Sequence, residues 1–449
     1  MRAIKSKMAR ALATALLAGA GLQALPASAL GLMQAYQAAL ANDPTFRQAI
    51  QDAAAGRENR IIGRAALLPS VSANYSANKN YADLIQTTSS GLKIPSEPEY
   101  ISRVANVQLR QPLFSLDALA RYKQGEAQTD YSEEQFRLRT HEMILRVVGA
   151  YVEALYAREQ VRLSTVQRDM YAEQRAVNDK LFAKGEGTKT DMLETQARLD
   201  LAEAQLLEAK DNAQTALATL SGIVGQSVES LGELGDTFRL APLPEGGFEA
   251  WRKLALENNP DLISQTFAIE AARQEVNKSK AGHYPRVDLV AAVSKNDAET
   301  LNTYTQESRN RAIGIQISVP LYAGGQVNAI TRQSVAGLEK ARAEYQVKSD
   351  KVMVELRKQY AAVVSSAARI QALDKAVSSA RLLVTATEQS IKGGVRINLD
   401  LLNAQQTLYT SQRDQAQARY NYLLALLRLR AAAGTLGEND VRDIAAYFR

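Results

Sequence analysis

The sequence of 449 residues contains no cysteine and only two histidines, His141 and His283. The lack of cysteine excludes a disulfide framework and a thiolate metal site. His141 and Glu142 begin like a zinc-protease motif, but no histidine follows at the position that such a motif requires. We therefore expect no catalytic residue, no metal site and no cofactor, and we do not expect an enzyme.

Long apolar runs are missing beyond the first thirty residues. Residues 1–29 have the pattern of a secretory signal peptide, with four basic residues, an apolar run from Ala11 to Leu22 and a small-residue cleavage site that ends at Ala29. The apolar run is too short to span a bilayer. We expect an exported chain, with an uncleaved anchor as the alternative. Because residue 30 is leucine and not cysteine, cleavage after Ala29 leaves no lipid attachment site.

A large net charge is also missing once the signal segment is set aside. The chain has 54 Lys and Arg residues against 48 Asp and Glu residues, and four of the basic residues lie within 1–29. The near balance of the remainder gives no argument for nucleic-acid binding. Since no apolar run of about 18 residues follows residue 29, we expect no transmembrane helix. An exported chain of this kind is periplasmic, secreted or an outer-membrane β-barrel.

The sequence contains one pattern twice, at an offset of 209 residues. Segments 185–199 and 394–408 each have a glycine turn, then an aspartate (Asp191 or Asp400), then a helical pattern. A shared offset over many positions indicates internal duplication. The predicted segments are a signal peptide at 1–29, a first structural repeat at 30–221, an inter-repeat link at 222–250, a second repeat at 251–436 and a short C-terminal tail at 437–449.

Each repeat is predicted to contain one β-hairpin, at residues 70–111 and 286–319. Apolar and polar residues alternate there, as in the runs that start at Val71 and at Ile313, which gives each strand one apolar and one polar face. Such strands suit either a membrane barrel with a wet lumen or a half-buried soluble hairpin. Four strands cannot close a barrel and lipid tolerates no open edge, so membrane insertion requires several chains. We expect residues 79–100 to be a polar loop.

Two long helices are predicted at residues 116–182 and 326–392, because no proline interrupts either segment. Each spans about 67 residues, or roughly 100 Å at 1.5 Å per residue, which indicates a coiled coil. A shorter helix returns after each glycine turn, with large and small residues at the two positions of a heptad seam. In the first return helix these are Met192, Leu199, Leu206, Ala213 and Leu220, beside Ala202, Ala209 and Ala216. The predicted fold is mainly α, with long antiparallel coiled-coil helices and four amphipathic strands.

Together these features resemble the TolC family of outer-membrane channels over essentially the whole chain after residue 29. The duplication carries the resemblance, together with short motifs in matching places. These are Leu68-Pro69 and Tyr284-Pro285, Pro112-Leu113-Phe114 and Pro320-Leu321-Tyr322, and the closing Ala418-Arg419-Tyr420-Asn421-Tyr422-Leu423 and Ala433-Gly434-Thr435-Leu436. The resemblance implies a homotrimer with a twelve-stranded β-barrel in outer-membrane lipid and a twelve-helix tunnel that extends into the periplasm.

In the TolC family an arginine on one hairpin pairs with a Thr-Asp on the neighbouring hairpin at the periplasmic tip. The resemblance assigns this gating latch to Arg396 and to Thr190 and Asp191, and breaking the pair opens the entrance. A tyrosine of the family's latch network corresponds to Ile391, so that hydrogen bond is not carried over. The alternative is that Arg396 and Asp191 are ordinary solvated charges, because an exposed pair is worth only about 0–1 kcal/mol.

The family also carries an acidic ring at the constriction of its lumen. Asp400 matches one member of the ring, whereas the second position is Asn403, which is not acidic. Three copies of Asp400 make a carboxylate ring that favours cations. The alternative is that Asp400 only stabilises the first turn of its helix. The turns predicted to dock a periplasmic adaptor contain Gly185, Gly187, Gly393 and Gly394.

The resemblance implies a passive exit duct to which an inner-membrane ABC transporter or other pump delivers substrate through an adaptor. We favour type I protein secretion, because the segment from Leu401 onward is most similar to export members and Leu30 disfavours lipid-anchored drug-efflux relatives. The outer-membrane component of a multidrug or small-molecule efflux pump is the alternative. A periplasmic adaptor is disfavoured, since it has one helical hairpin and not two.

Overall fold

The computed structural model describes residues 29–232, 234, 238, 240, 246–298 and 306–448. The predicted signal peptide lies outside the described residues except for Ala29, and so does part of the predicted link at 222–250. The chain is mainly α-helical with a small β part, which confirms the predicted fold class. The trimer and its barrel remain predictions.

The two halves of the chain share an order of two short helices, two long strands, a long helix and a return helix, to which the first half adds β2 and β3 and the second half adds α9. The helices are α1 (Leu32–Asn42), α2 (Pro44–Ala65), α3 (Leu116–Ala183), α4 (Lys189–Val224), α5 (Gly247–Asn258), α6 (Pro260–Lys280), α7 (Gln326–Lys392), α8 (Asn398–Ala432) and α9 (Glu438–Ala445). The strands are β1 (Ser70–Tyr81), β2 (Leu84–Thr87), β3 (Lys93–Ser96), β4 (Glu99–Phe114), β5 (Arg286–Ala298) and β6 (Gln306–Ser318). The long helices α3 and α7 lie within one residue of their predicted bounds. Among the described residues, no helix combines the length and the apolar character needed to cross a membrane.

The chain divides into two compact units. The strand unit contains residues 48–139 and 252–355, and therefore all six strands. The hairpin unit contains residues 29–47, 140–251 and 356–448, and therefore both glycine turns and the return helices α4 and α8. Each unit is described by itself.

The strand unit holds a four-stranded antiparallel sheet in the order β1-β4-β5-β6. Its register aligns apolar residues across all four strands, since Val71 pairs with Leu109, Leu109 with Ala291, and Ala291 with Ile313. The aligned row Asn74, Asn106, Ser294 and Asn310 lies on the other face. The predicted alternation therefore produces one apolar and one polar face over the whole sheet.

The prediction of a polar loop at 79–100 is wrong. Strands β1 and β4 extend into this segment, and between them β2 pairs with β3 in a second, smaller hairpin. A turn closes it, with the N–H of Thr88 donating to the carbonyl oxygen of Leu92 at 2.9 Å. Each strand is four residues long and one contains Pro95. Strands this short contain too few alternating apolar and polar residues to be recognised from the sequence, and a proline is unusual within a strand.

The first hairpin also extends beyond its predicted end at residue 111. Strand β4 continues through Pro112 to Phe114, and its register against β5 shifts between these two residues. Proline has no N–H to contribute to the ladder, so a strand accommodates it at an edge or a bulge. The Pro-Leu-Phe motif thus forms an irregular last part of the strand instead of ending it.

A charged cluster joins β4 to β5 at this end of the sheet. The carboxylate of Asp288 is 1% exposed and accepts hydrogen bonds from Nε of Arg110 at 2.9 Å and from Nε of Arg286 at 3.0 Å. A buried carboxylate is tolerated only when it is paired and hydrogen-bonded. The cluster therefore fixes the first repeat to the second within the sheet.

Helices α2 and α3 approach closely at two glycines in the strand unit. A Cβ atom at Gly125 would lie 2.4 Å from the carbonyl oxygen of Asn59 and 3.1 Å from Cα of Gly63. A Cβ atom at Gly63 would lie 2.7 Å from the carbonyl oxygen of Arg121. These contacts are with backbone atoms, which cannot rotate away as a side chain can. The two glycines therefore set the separation of the helices.

A core around Tyr151 of α3 stabilises the hairpin unit. Its hydroxyl donates to the carbonyl oxygen of Leu30 at 2.9 Å, and its ring meets that of Phe448 edge-on at 5.5 Å. Burial raises the pKa of Tyr151 to about 12, so the hydroxyl remains a donor. Nδ2 of Asn42 donates to the carbonyl oxygen of Val224 at 2.9 Å, which holds the end of α1 against the end of α4.

The return helices bury most of the predicted heptad seam, whereas Met192 and Ala216 of the first are half-buried. The buried seam residues of α4 are Leu199, Ala202, Leu206, Ala209, Ala213 and Leu220. In α8 they include Leu401, Ala404, Ala418, Tyr422, Ala425 and Leu429. The predicted C-terminal tail contains the short helix α9, which buries Val441 and Ile444.

Replacing Gly125 with alanine is expected to lower the free energy of unfolding by about 1–3 kcal/mol, because overpacking against a neighbouring backbone forces the helices apart. Gly149→Ala is the matched control in the same helix. A Cβ atom there meets nothing within 4 Å, and alanine favours a helix over glycine by about 1 kcal/mol. Thermal unfolding of the purified protein in detergent measures both variants. Equal melting temperatures for the two would contradict the close approach.

Candidate functional site

The duplicated glycine turns end the two long helices in the same way. In the first turn Gly185 has φ +78°, the N–H of Glu186 donates to the carbonyl oxygen of Leu181 at 2.9 Å, and that of Gly185 donates to Phe182 at 3.0 Å. This pair of bonds is a Schellman motif, which satisfies the last carbonyl groups of a helix. The left-handed backbone at its centre favours glycine because a Cβ atom there costs energy.

The second turn repeats this geometry 209 residues later. Gly394 has φ +71°, its N–H donates to the carbonyl oxygen of Ile391 at 3.0 Å, and the N–H of Val395 donates to Ser390 at 2.9 Å. The duplicated glycines Gly185 and Gly394 are thus explained by helix termination alone. Gly187 is closely packed, since a Cβ atom there would lie 3.1 Å from Cβ of Leu181.

The two return helices begin differently. Helix α4 has a side-chain cap, in which Oγ1 of Thr188 accepts from the N–H of Asp191 at 3.1 Å and donates to Oδ2 of the same residue at 2.6 Å. Helix α8 begins after Ile397, which has no side chain able to cap it. The first side chain of α8, Asn398, bonds other helices instead. The carboxylates of Asp191 and Asp400 both lie in a first turn, where negative charge is favourable.

Within its own hairpin each charged residue of the predicted latch has another partner. Nη1 of Arg396 lies 3.8 Å from Oδ2 of Asp400, in a pair that is about half exposed. Asp191 bonds Thr188, and Thr190 is exposed. The predicted latch joins neighbouring hairpins, and it remains a prediction. Its formation would have to displace or share both of these local contacts.

The two predicted ring positions lie on α8, four and seven residues after Arg396. Oδ1 of Asn403 accepts a hydrogen bond from Nη2 of Arg198, a residue of α4, at 3.1 Å. Arg198 therefore brings a positive charge to the position where the family ring has its second carboxylate. Sequence reasoning missed this residue, because a single arginine on a polar helix face carries no distinguishing pattern.

A buried hydrogen-bond network joins three helices beside the turns. Oγ1 of the fully buried Thr195 accepts from Nδ2 of Asn178 at 2.8 Å and from Nδ2 of Asn398 at 3.2 Å, and it donates to the carbonyl oxygen of Asp191 at 2.8 Å. Nε2 of Gln174 donates to Oδ1 of Asn398 at 2.7 Å. We call Asn178, Thr195 and Asn398 the polar hub. It links α3, α4 and α8 and uses the full hydrogen-bonding capacity of one hydroxyl.

The contacts of α3 with α8 continue beyond the polar hub. Tyr171 packs in an apolar cluster with Leu199, Ala202 and Leu402, and its hydroxyl donates to Oε1 of Gln406 at 3.3 Å. Burial raises the pKa of Tyr171, which keeps the hydroxyl protonated. In the part of the chain that the structure describes, no group of three or more His, Asp or Glu side chains is placed to hold a metal ion.

The chain is similar to known outer-membrane and secretion proteins. The model of the family described as outer membrane efflux protein matches residues 35–226 and 251–435. The chain is 44% identical over 424 residues to the alkaline protease secretion protein AprF of Pseudomonas aeruginosa, covering 94% of this chain and 88% of that protein. It is 37% identical over 426 residues to the proteases secretion protein PrtF of Dickeya chrysanthemi, covering 94% and 92%.

One similar solved structure is that of the outer membrane protein VceC of Vibrio cholerae. It has a TM-score of 0.77 with 19% sequence identity and covers 90% of this chain and 96% of that chain. At this identity the likeness shows the fold alone. The family match supports more than the fold. Its two segments span most of the chain and include both glycine turns and both return helices. The chain therefore belongs to the outer membrane efflux protein family, a family of outer-membrane channels and not of enzymes.

Proposed function

We propose that this protein is the outer-membrane exit duct of a type I protein secretion system and that it conducts its substrate passively. The similarity to AprF and PrtF carries the proposal, because both are named for protease secretion and the similarity extends over 94% of the chain. In such a duct the amphipathic sheet would be the lipid-facing part and the long helices would be the water-exposed part.

The proposed assembly is a homotrimer in which the strands of three chains form one β-barrel. The order β1-β4-β5-β6 makes β1 and β6 the edges of the sheet. An edge carries unpaired backbone groups, for which lipid offers no partner. Three copies, each pairing β6 with β1 of the next, would give twelve strands without an edge. The exposed apolar side chains of Val71 and Ile313 would then face lipid, and the aligned polar row would face water.

The proposed partners are a periplasmic adaptor that docks at the glycine turns and an inner-membrane ABC transporter or other pump that supplies the energy. The surface around the turns supports a docking role. Val395 and Ile397 are exposed apolar residues in the second turn, and Leu193 is an exposed apolar residue just after the first. Exposed apolar residues that cluster on a surface are typical of interaction sites.

A second candidate is the outer-membrane component of a multidrug or small-molecule efflux pump. The description of the family, which names efflux, favours it. The two candidates use the same duct and differ in the pump that delivers substrate, so one protein can serve both.

The experiment that tests the proposal compares a strain that lacks this gene with its parent. Proteins in the culture supernatant and susceptibility to drugs are measured side by side. We expect the loss of one or a few secreted proteins with unchanged drug susceptibility. Intact secretion together with drug hypersensitivity would instead support the efflux candidate.

The docking proposal predicts that Val395→Asp abolishes export while the trimer still assembles. Val395 is suited to the test because its side chain is 81% exposed and its φ is negative, whereas a substitution at Gly394 would strain the turn. The matched control is Leu92→Asp in the turn between β2 and β3, where the leucine is 63% exposed in the strand unit. Secreted protein is measured in the supernatant and assembly on a semi-native gel. Normal export by the Val395 variant would argue against docking at this turn.

The latch proposal predicts that Arg396→Ala and Asp191→Asn each raise single-channel conductance in a planar lipid bilayer. The asparagine removes the charge but can still accept from Thr188, so the cap of α4 is retained. Arg57→Ala is the control, because Arg57 forms a comparably exposed pair with Glu133 in the strand unit. If neither latch variant changes the conductance, the assignment of the latch is wrong.

A further inference from the structure

The polar hub occupies a seam position that carries a small apolar residue elsewhere. Thr195 precedes the buried seam residues Ala202 and Ala209 by seven and fourteen positions. Its counterpart in the second repeat, 209 residues later, is the buried Ala404. Helix packing at this position therefore accepts alanine and does not itself require a hydroxyl. A single polar residue in a coiled-coil seam specifies the register of the helices at a cost in stability.

The layer next to the polar hub is apolar. One turn further along α4, Leu199 and Ala202 pack with Tyr171 and Leu402. Separating α8 from that layer would expose apolar surface to water, which is unfavourable in proportion to the area. Separating Asn398 from Thr195 and Gln174 exposes amide and hydroxyl groups that water can bond in turn, so the net loss per bond is small. Opening the polar hub therefore costs less free energy than opening the apolar layer beside it.

The beginning of α8 is held by contacts with other helices and not by a cap of its own. The first four N–H groups of any helix need partners from outside the helix. Thr188 supplies one for α4, but Ile397 supplies none for α8. The side chain of Asn398 helps to hold the first turn of α8, since it donates to Thr195 and accepts from Gln174, and Leu401 and Leu402 are buried directly after it. Both partners belong to other helices, so α8 loses this support when it moves away from them.

We infer that the polar hub is the contact at which α8 separates from α3 and α4 when the duct opens. The inference rests on the proposed function, since it assumes a duct that opens. In the closed state the polar hub sets the register of the three helices, and in the open state water replaces its hydrogen bonds. This contact lies within one chain and is uncharged, so it differs from the exposed latch of Arg396 and Asp191.

Two kinds of substitution change this contact in opposite directions. Thr195→Val removes the centre of the polar hub and leaves the amides of Asn178 and Asn398 without that acceptor, which weakens the closed packing. The triple variant Asn178→Leu, Thr195→Val, Asn398→Leu makes the whole layer apolar. Replacing a buried polar group and its partners together is often neutral or stabilising, so the triple variant is expected to hold the closed state more tightly. Gln174 is partly exposed and can bond water in its place.

The experiment measures single-channel conductance of the purified variants in planar lipid bilayers at one salt concentration. We expect Thr195→Val to conduct at least twice as much as the unmodified protein and the triple variant to conduct less than the unmodified protein. Thr165→Val is the matched control, because Oγ1 of Thr165 donates to the carbonyl oxygen of Val161 within its own helix at 2.7 Å. Its conductance is expected to remain unchanged.

Assembly is checked for each variant by resistance of the oligomer to detergent on a semi-native gel. If Thr195→Val does not assemble, Asn398→Ala takes its place, since it removes the link to α8 and leaves the bond of Asn178 to Thr195 intact. Conductance of the triple variant equal to or above that of the single variant would overturn the role of the polar hub and leave the duct function standing. If the unmodified protein forms no channel, the proposed function and this inference both fail.

Discussion

Every long helix of this chain has to bury an apolar stripe against another helix, because helix propensity alone gives little stability in water. The heptad seam of α4 shows how this is achieved, with Leu199 and Leu206 at one position and Ala202 and Ala209 at the other. The small residues let the backbones come close, and the large ones fill the space beside them. In the strand unit Gly63 and Gly125 likewise allow a close approach of two helices. Helix spacing in both units therefore depends on where small residues recur.

This constraint explains why much of the fold can be predicted from the sequence. A seam repeated over many turns identifies a long helix in the sequence. A glycine where the pattern stops marks the end of the helix, and Gly185 and Gly394 do adopt the left-handed conformation there. The alternation in β1 and β6 is long enough to assign one face to apolar residues. The four-residue strands β2 and β3 are too short for such an alternation, so their hairpin could not be predicted from the spacing of apolar residues.

The candidate site was predictable only in part. The sequence locates both turns and the residues around them, because local hydrogen bonds decide their geometry. It cannot locate the partners of Asn398 or Asn403, since Gln174 lies 224 positions from the first and Arg198 lies 205 positions from the second. A heptad pattern shows which residues of a helix face a neighbour, but not which neighbour. Long-range polar contacts of this kind therefore become visible only in the structure.

The duplication makes one further comparison possible, because each position has a counterpart 209 residues away. The first return helix begins at a capping residue, Thr188, and the second begins after the aliphatic Ile397. Both helices have the same backbone groups to satisfy at their starts. The first satisfies one of them within its own sequence, whereas the second is fixed through Asn398 by side chains of neighbouring helices. The start of α4 is thus supported by its own sequence, whereas the start of α8 has its side-chain support from neighbouring helices. The duplicated helices therefore differ in how their starts are held, and the contacts between helices are part of what supports the start of α8.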